Sequence, residues 1–125
     1  TTIADISNLS GGAPVIRLVN AVIARAIAER ASDIHIEPLF GKVRIRLRVD
    51  GILQDVMTIP KDLQAAVISR LKVMGGMDVA ERRAPQDGRL TLIVKPQEYD
   101  FRISIYPAIH GENMVVRVLE KSAAE

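Results

Sequence analysis

The chain has no cysteine and no tryptophan, and its only aromatic residues are Phe40, Tyr99, Phe101 and Tyr106. Without thiols it can form neither disulfides nor thiolate metal sites, a composition suited to the cytosol. So few aromatic rings also argue against a single-stranded nucleic-acid platform, which stacks bases on exposed rings. A formal charge of +2 is too small to drive DNA binding electrostatically, even with a pI near 9.2. No nucleic-acid partner is expected. No apolar run approaches the roughly 20 residues that span a bilayer, and the N-terminus lacks a signal-peptide pattern, so direct membrane insertion is not expected either.

Nucleotide and hydrolase motifs are missing as well. The only Gly-Lys pair, Gly41-Lys42, is followed by Val43 and has no glycine five positions earlier, so there is no G-x-x-x-x-G-K-[ST] phosphate loop. There is no G-x-G-x-x-G, and no serine sits in a G-x-S-x-G elbow. By itself this chain has no standard means of cradling a nucleotide and no catalytic residue of its own. It reads as no enzyme alone.

What is present is one domain of 125 residues, 48% hydrophobic and 26% charged, with an aliphatic core. Residues 1–12 read as a turn-rich lead-in. Pro14 opens a helix whose apolar face runs through Val15, Ile16, Leu18, Val19, Val22, Ile23, Ala26 and Ile27. A short strand over 32–37, closed by Pro38, puts Asp33, His35 and Glu37 on one face. Between Gly41 and Gly51 the chain alternates strictly: Val43, Ile45, Leu47 and Val49 against Lys42, Arg44, Arg46, Arg48 and Asp50. That is a half-buried strand, with Asp50-Gly51 as a hairpin turn into a returning strand over 52–57. Pro60 then starts a second helix ended by Gly75-Gly76, and residues 77–88 show no period. Three further strands, over 89–94, 99–106 and 113–119, complete the order α-β-β-β-α-β-β-β. Hairpin-linked strands with helices packed on them predict an α+β fold, an antiparallel sheet of about six strands.

Guanidinium groups two residues apart on a strand lie about 6–7 Å from each other and repel unless anions meet them. Arg44, Arg46 and Arg48 therefore need counter-charges, and Arg82, Arg83, Arg89, Arg102 and Arg117 are further arginines of the chain. One reading is a solvated face with ion pairs to Asp50, Asp55, Asp100 and Glu112. The other is a surface facing phosphate or a partner's carboxylates, which suits the arginine fork. Asp33, His35 and Glu37 do not suggest a metal, because Asp33 and Glu37 on one strand are about 13 Å apart. His110 reads as a solvated or domain-contacting loop histidine.

Five stretches, read in order, carry a resemblance: Ala13-Pro14-Val15-Ile16-Arg17-Leu18-Val19-Asn20, Ala31-Ser32-Asp33-Ile34-His35-Ile36-Glu37-Pro38, Arg46-Leu47-Arg48-Val49-Asp50-Gly51, Ala80-Glu81-Arg82-Arg83-Ala84-Pro85-Gln86-Asp87-Gly88-Arg89 and His110-Gly111-Glu112. Together they resemble the ATPases that power type II secretion and type IV pilus assembly (the GspE/PulE/PilB family) over residues 12–121. The resemblance implies a PAS-like domain over 13–121, with 122–125 beginning a linker to a RecA-like ATPase core that carries the phosphate loop. It implies ATP and Mg in the full-length protein, a homohexamer, and inner-membrane secretion or pilus platform partners. It also implies a location in the cytoplasm, peripheral at the inner membrane of a bacterium. By position, Arg46, Lys61 and Arg48 would reach the nucleotide phosphates, whereas Arg82, Arg83, Asp87, Arg89, His110 and Glu112 would contact the core or a neighbouring subunit. Gly75-Gly76 departs from the family pattern, in which the helix continues. The alternative is a stand-alone PAS-like small-molecule sensor or interaction module, which would need an internal pocket with convergent polar groups.

Overall fold

The computed structural model describes the backbone of Thr2–Asp5 and residues 13–121. The chain forms β1 (Thr2–Asp5), α1 (Pro14–Ala28), β2 (Asp33–Leu39), β3 (Lys42–Val49), β4 (Ile52–Pro60), a 3-10 turn (Lys61–Leu63), α2 (Gln64–Met74), β5 (Gln86–Val94), β6 (Gln97–Ala108) and β7 (Gly111–Glu120). The strands make one sheet in the order β1-β5-β6-β7-β2-β3-β4. Both helices cover one face of it, where Val19, Val22, Ile23, Val67 and Leu71 pack on Ile34, Ile36, Ile45, Leu90, Phe101, Ile103 and Val116.

The expected α+β fold is present, with the expected six strands paired antiparallel. A seventh lies in the stretch read as a lead-in: β1 pairs parallel with β5, from Thr2 opposite Leu90 to Asp5 opposite Ile93. The remainder of that lead-in, residues 1 and 6–12, and the linker at 122–125 lie outside the described residues. Several boundaries also shift. Pro60 does not open a helix but ends β4, because an edge strand does not need its N–H. β2 continues through Pro38 to Leu39, opposite Lys42.

Each turn is written in local chemistry. Asp50 (φ 52) and Gly51 (φ 80) take the two positive φ angles that let Val49 pair directly with Ile52. α2 ends as its glycines require: the Gly76 N–H donates to the Val73 carbonyl, and the Met77 N–H to the Lys72 carbonyl, with Gly76 at φ 72. The helix stops here because nothing but a left-handed residue closes that motif cheaply. Gly88 allows a second close approach, since a Cβ there would meet the Gly75 carbonyl oxygen at 2.7 Å.

Candidate functional site

Alternation along six strands leaves one face of the sheet lined with charge and, among the described residues, uncovered by helices. Register decides which charges meet. On β2 and β3, Asp33 lies opposite Arg48, His35 opposite Arg46, and Glu37 opposite Arg44. The acidic face and the arginine face, which the sequence shows as separate features, are thus one surface.

Glu37 is the hub. Arg46 donates to both its oxygens, Nε to Oε1 at 3.0 Å and Nη2 to Oε2 at 2.7 Å, while Arg44 Nε donates to Oε1 at 3.0 Å. Partial burial pushes the Glu37 carboxyl upward, but the hydrogen bonds and positive charge of Arg46 and Arg44 win and hold it below its ordinary pKa. The same hydrogen bond raises that of Arg46. His35 is held below its ordinary value, mainly by burial and despite Glu37 and Asp33 nearby. Asp33 lies between Arg48 at 3.8 Å and Arg117 at 3.7 Å, and accepts a 2.7 Å hydrogen bond from Ser32. The counter-charges of the arginine strand are therefore Asp33 and Glu37. The expected partners Asp100 and Glu112 pair with Lys121 and Lys72 instead, and Asp55 faces Arg46 across the β3–β4 pair, with no ion-pair contact among the described residues.

A second arginine row crosses the strands at one level. Arg89 on β5 lies opposite Arg102 on β6, which lies opposite Arg117 on β7. Direct cross-strand neighbours stand about 5 Å apart, a spacing at which like charges destabilise a sheet. Among the described residues no carboxylate lies within ion-pair reach of Arg89 or Arg102. Arg89, Arg102 and Arg117, with Asp87, Ser104 and Val115, line a shallow depression of about 380 Å³. Asp87 contributes one acid here, accepting a hydrogen bond from Ser104 at 3.0 Å. The row is invisible in one dimension, because residues 89, 102 and 117 meet only through the register of two hairpins.

Lys61 is elsewhere. It follows Pro60, opposite Lys42, about four residues of strand from Arg46, and its Nζ donates to the His110 carbonyl at 2.8 Å. Gln64 Nε2 reaches the same oxygen at 3.3 Å, and Gly111 leaves room for it, since a Cβ there would collide with the Gln64 amide. Lys61, Gln64, Lys72, Arg82 and Glu112 line a groove of about 400 Å³ between α2 and the β6–β7 hairpin. Of the expected contact residues, Arg82, His110 and Glu112 gather around this groove and its hairpin, Asp87 and Arg89 lie on the polar sheet face, and the exposed Arg83 follows Arg82. His110 packs edge-on against the exposed Phe40, ring centres 6.1 Å apart.

Lys72 went unread. It is only 1% exposed, with its Nζ 2.9 Å from both oxygens of Glu112 and 2.6 Å from the Glu81 carbonyl. The one hint in the sequence is its place directly after Leu71 and four residues after Ile68 on the apolar side of the helix. Among the described residues, no three His, Asp or Glu side chains converge as metal ligands. No described helix is long and apolar enough to cross a membrane. The space between helices and sheet is about 20 Å³ and wholly apolar in its lining, which gives a sensor ligand neither room nor a polar contact.

Residues 8–125 match the family described as Type II/IV secretion system protein. The chain is 52% identical over 114 residues to Type II secretion system protein E of Xanthomonas campestris, covering 91% of this chain and 20% of that protein. It is 47% identical to Type II secretion system protein HxcR of Pseudomonas aeruginosa, over 97% of this chain and 26% of that one. It is 45% identical to the type IV pilus assembly ATPase PilB of Myxococcus xanthus, over 94% of this chain and 21% of that one. The chain belongs to the Type II/IV secretion system protein family. It spans about a fifth to a quarter of the length of these curated relatives.

Proposed function

We propose that this domain belongs to an ATPase that drives secretion or pilus assembly, and that its polar sheet face turns toward the phosphates of ATP held by a RecA-like core. One observation carries this reading: Arg89, Arg102 and Arg117 are aligned on three adjacent strands, and neither Arg89 nor Arg102 has a carboxylate within reach among the described residues. A triphosphate supplies the missing charge, and cations fixed on a rigid sheet stabilise charge developing on a transferred phosphoryl group without reorganising.

Arg48 occupies the same level of the sheet beyond Asp33, which it shares with Arg117, so these two would meet phosphate in competition with one carboxylate. Arg46 meets phosphate only at the expense of Glu37, and Lys61 serves the groove side. The groove with Arg82, Arg83, His110 and Glu112 is the contact surface for the core or for the next subunit of a hexamer. Mg and the phosphate loop reside in the core, and the platform partners lie at the inner membrane. The names of the relatives, which include secretion proteins and a pilus ATPase, support this assignment.

The test is ATP hydrolysis by the full-length parent carrying Arg102→Gln or Arg117→Gln. A fall in kcat of roughly tenfold or more for each supports the reading. Near-normal hydrolysis by both overturns it.

A further inference from the structure

The eleven residues between α2 and β5, 75–85, contain no helix or strand, yet they are wired at both ends. Glu81 accepts with its side chain from its own downstream backbone: the Arg83 N–H at 2.7 Å and the Ala84 N–H at 3.2 Å. Gln86, the first residue of β5, holds the other side. Its Oε1 accepts from the Asp78 N–H at 2.8 Å, and its Nε2 donates to the Asp78 and Glu81 carbonyls at 2.9 and 3.3 Å. The Glu81 carbonyl is the point where the two halves meet, and its short contact is to Lys72.

A lysine 1% exposed loses its hydration, and one carboxylate alone does not use its three donors. Lys72 uses Glu112 on β7 for one part and the Glu81 carbonyl for another, so a single ammonium joins α2, the 75–85 segment and the β6–β7 hairpin. We infer that Lys72 is a positioning residue: it locks residues 78–86 as a fixed arch that presents Arg82 and Arg83 at the groove and holds Asp87 and Arg89 in register on the polar face. The inference rests on the proposed function and deepens it, through the contact role of Arg82 and Arg83 and the phosphate-facing role of Arg89. Lys72 lines the groove yet is only 1% exposed, so it acts through Glu81 and Glu112 and not by its own contact with nucleotide or partner.

Amide hydrogen exchange on this chain tests the lock without ATP, so its failure is distinguishable from failure of the phosphate reading. Lys72→Met removes the ammonium, and Lys72→Met/Glu112→Gln also removes the carboxylate it would strand. In the double variant, exchange at Asp78, Arg83 and Ala84 should quicken roughly tenfold or more, while Ile34 and Leu47 in the central strands keep their protection. Unchanged exchange at Asp78, Arg83 and Ala84 overturns the inference. So does uniform acceleration of all amides in the double variant, because that is loss of global stability and not of a local lock. Should Lys72→Met alone fail to fold, the double variant decides.

Discussion

Arg46 grips both carboxylate oxygens of Glu37, at 3.0 and 2.7 Å, across the β2–β3 pair. This pairing divides the polar face into a half neutralised internally, around Glu37 and Asp33, and a half left positive, around Arg89 and Arg102. The charge asymmetry, and not the number of arginines, is what supports the proposed anion-facing role.

The Glu37 pairing makes stability depend on pH in a defined window. A carboxyl whose folded pKa is depressed contributes stability that is present above its unfolded value and is lost as pH falls through the folded one. Glu37→Gln should therefore cost roughly 1–3 kcal/mol near pH 7, as expected when charge-assisted hydrogen bonds in a half-buried site are lost. Urea unfolding should show that deficit shrinking below about pH 4.5. A deficit constant down to pH 2 would contradict the assignment.

His35 acts in the same direction at higher pH. Its folded pKa is lowered by burial, so the unfolded chain takes up the proton first, and stability declines as pH falls below about 6.5. His35→Gln should flatten the stability profile just below that pH and leave the lower Glu37 limb in place. A profile unaltered by His35→Gln would show that the imidazole titrates equally in both states.

Just beyond the end of α1, Arg30 stands at φ 56, and its N–H donates to the Ile27 carbonyl while the Ala31 N–H donates to that of Ala26. A side chain in that left-handed position costs about 1 kcal/mol relative to glycine. Arg30→Gly should raise stability by about that amount, read as a higher denaturant midpoint with an unchanged slope. A lower midpoint would mean that Arg30 makes a compensating contact.

At Gly88 the constraint is space. The Cβ of Gly88→Ala would meet the Gly75 carbonyl oxygen at 2.7 Å, and backbone cannot step aside as a side-chain tip can. Loss of about 1–3 kcal/mol is expected. At Gly41 a Cβ meets nothing within 4 Å, so only the φ of 77 penalises Gly41→Ala, by about 1 kcal/mol. Equal costs by thermal unfolding would refute the close approach.

The fold was legible where pattern is local: strict alternation from 42 to 49, Asp50-Gly51 as a hairpin turn, and the amphipathic stripe of α1. β1 escaped because four residues added in parallel at an edge leave no alternation long enough to read. Lys72 escaped because a lysine in a helix reads as solvated until Glu112, forty residues on, is known to meet it. Asp33, His35 and Glu37 were seen as one face and Arg44, Arg46 and Arg48 as another. Their union follows from the two-residue turn at Phe40-Gly41, which fixes the register. The Arg89–Arg102–Arg117 row needs two registers at once, and neither is written in any single segment.

The most direct measurement is the structure of the full-length parent bound to a non-hydrolysable ATP analogue. Guanidinium nitrogens of Arg102 and Arg117 should lie at about 2.7–3.2 Å from phosphate oxygens. Phosphates bound with this sheet face turned away, and every arginine of the row more than about 8 Å from them, beyond a Debye length of screening at physiological salt, would contradict it.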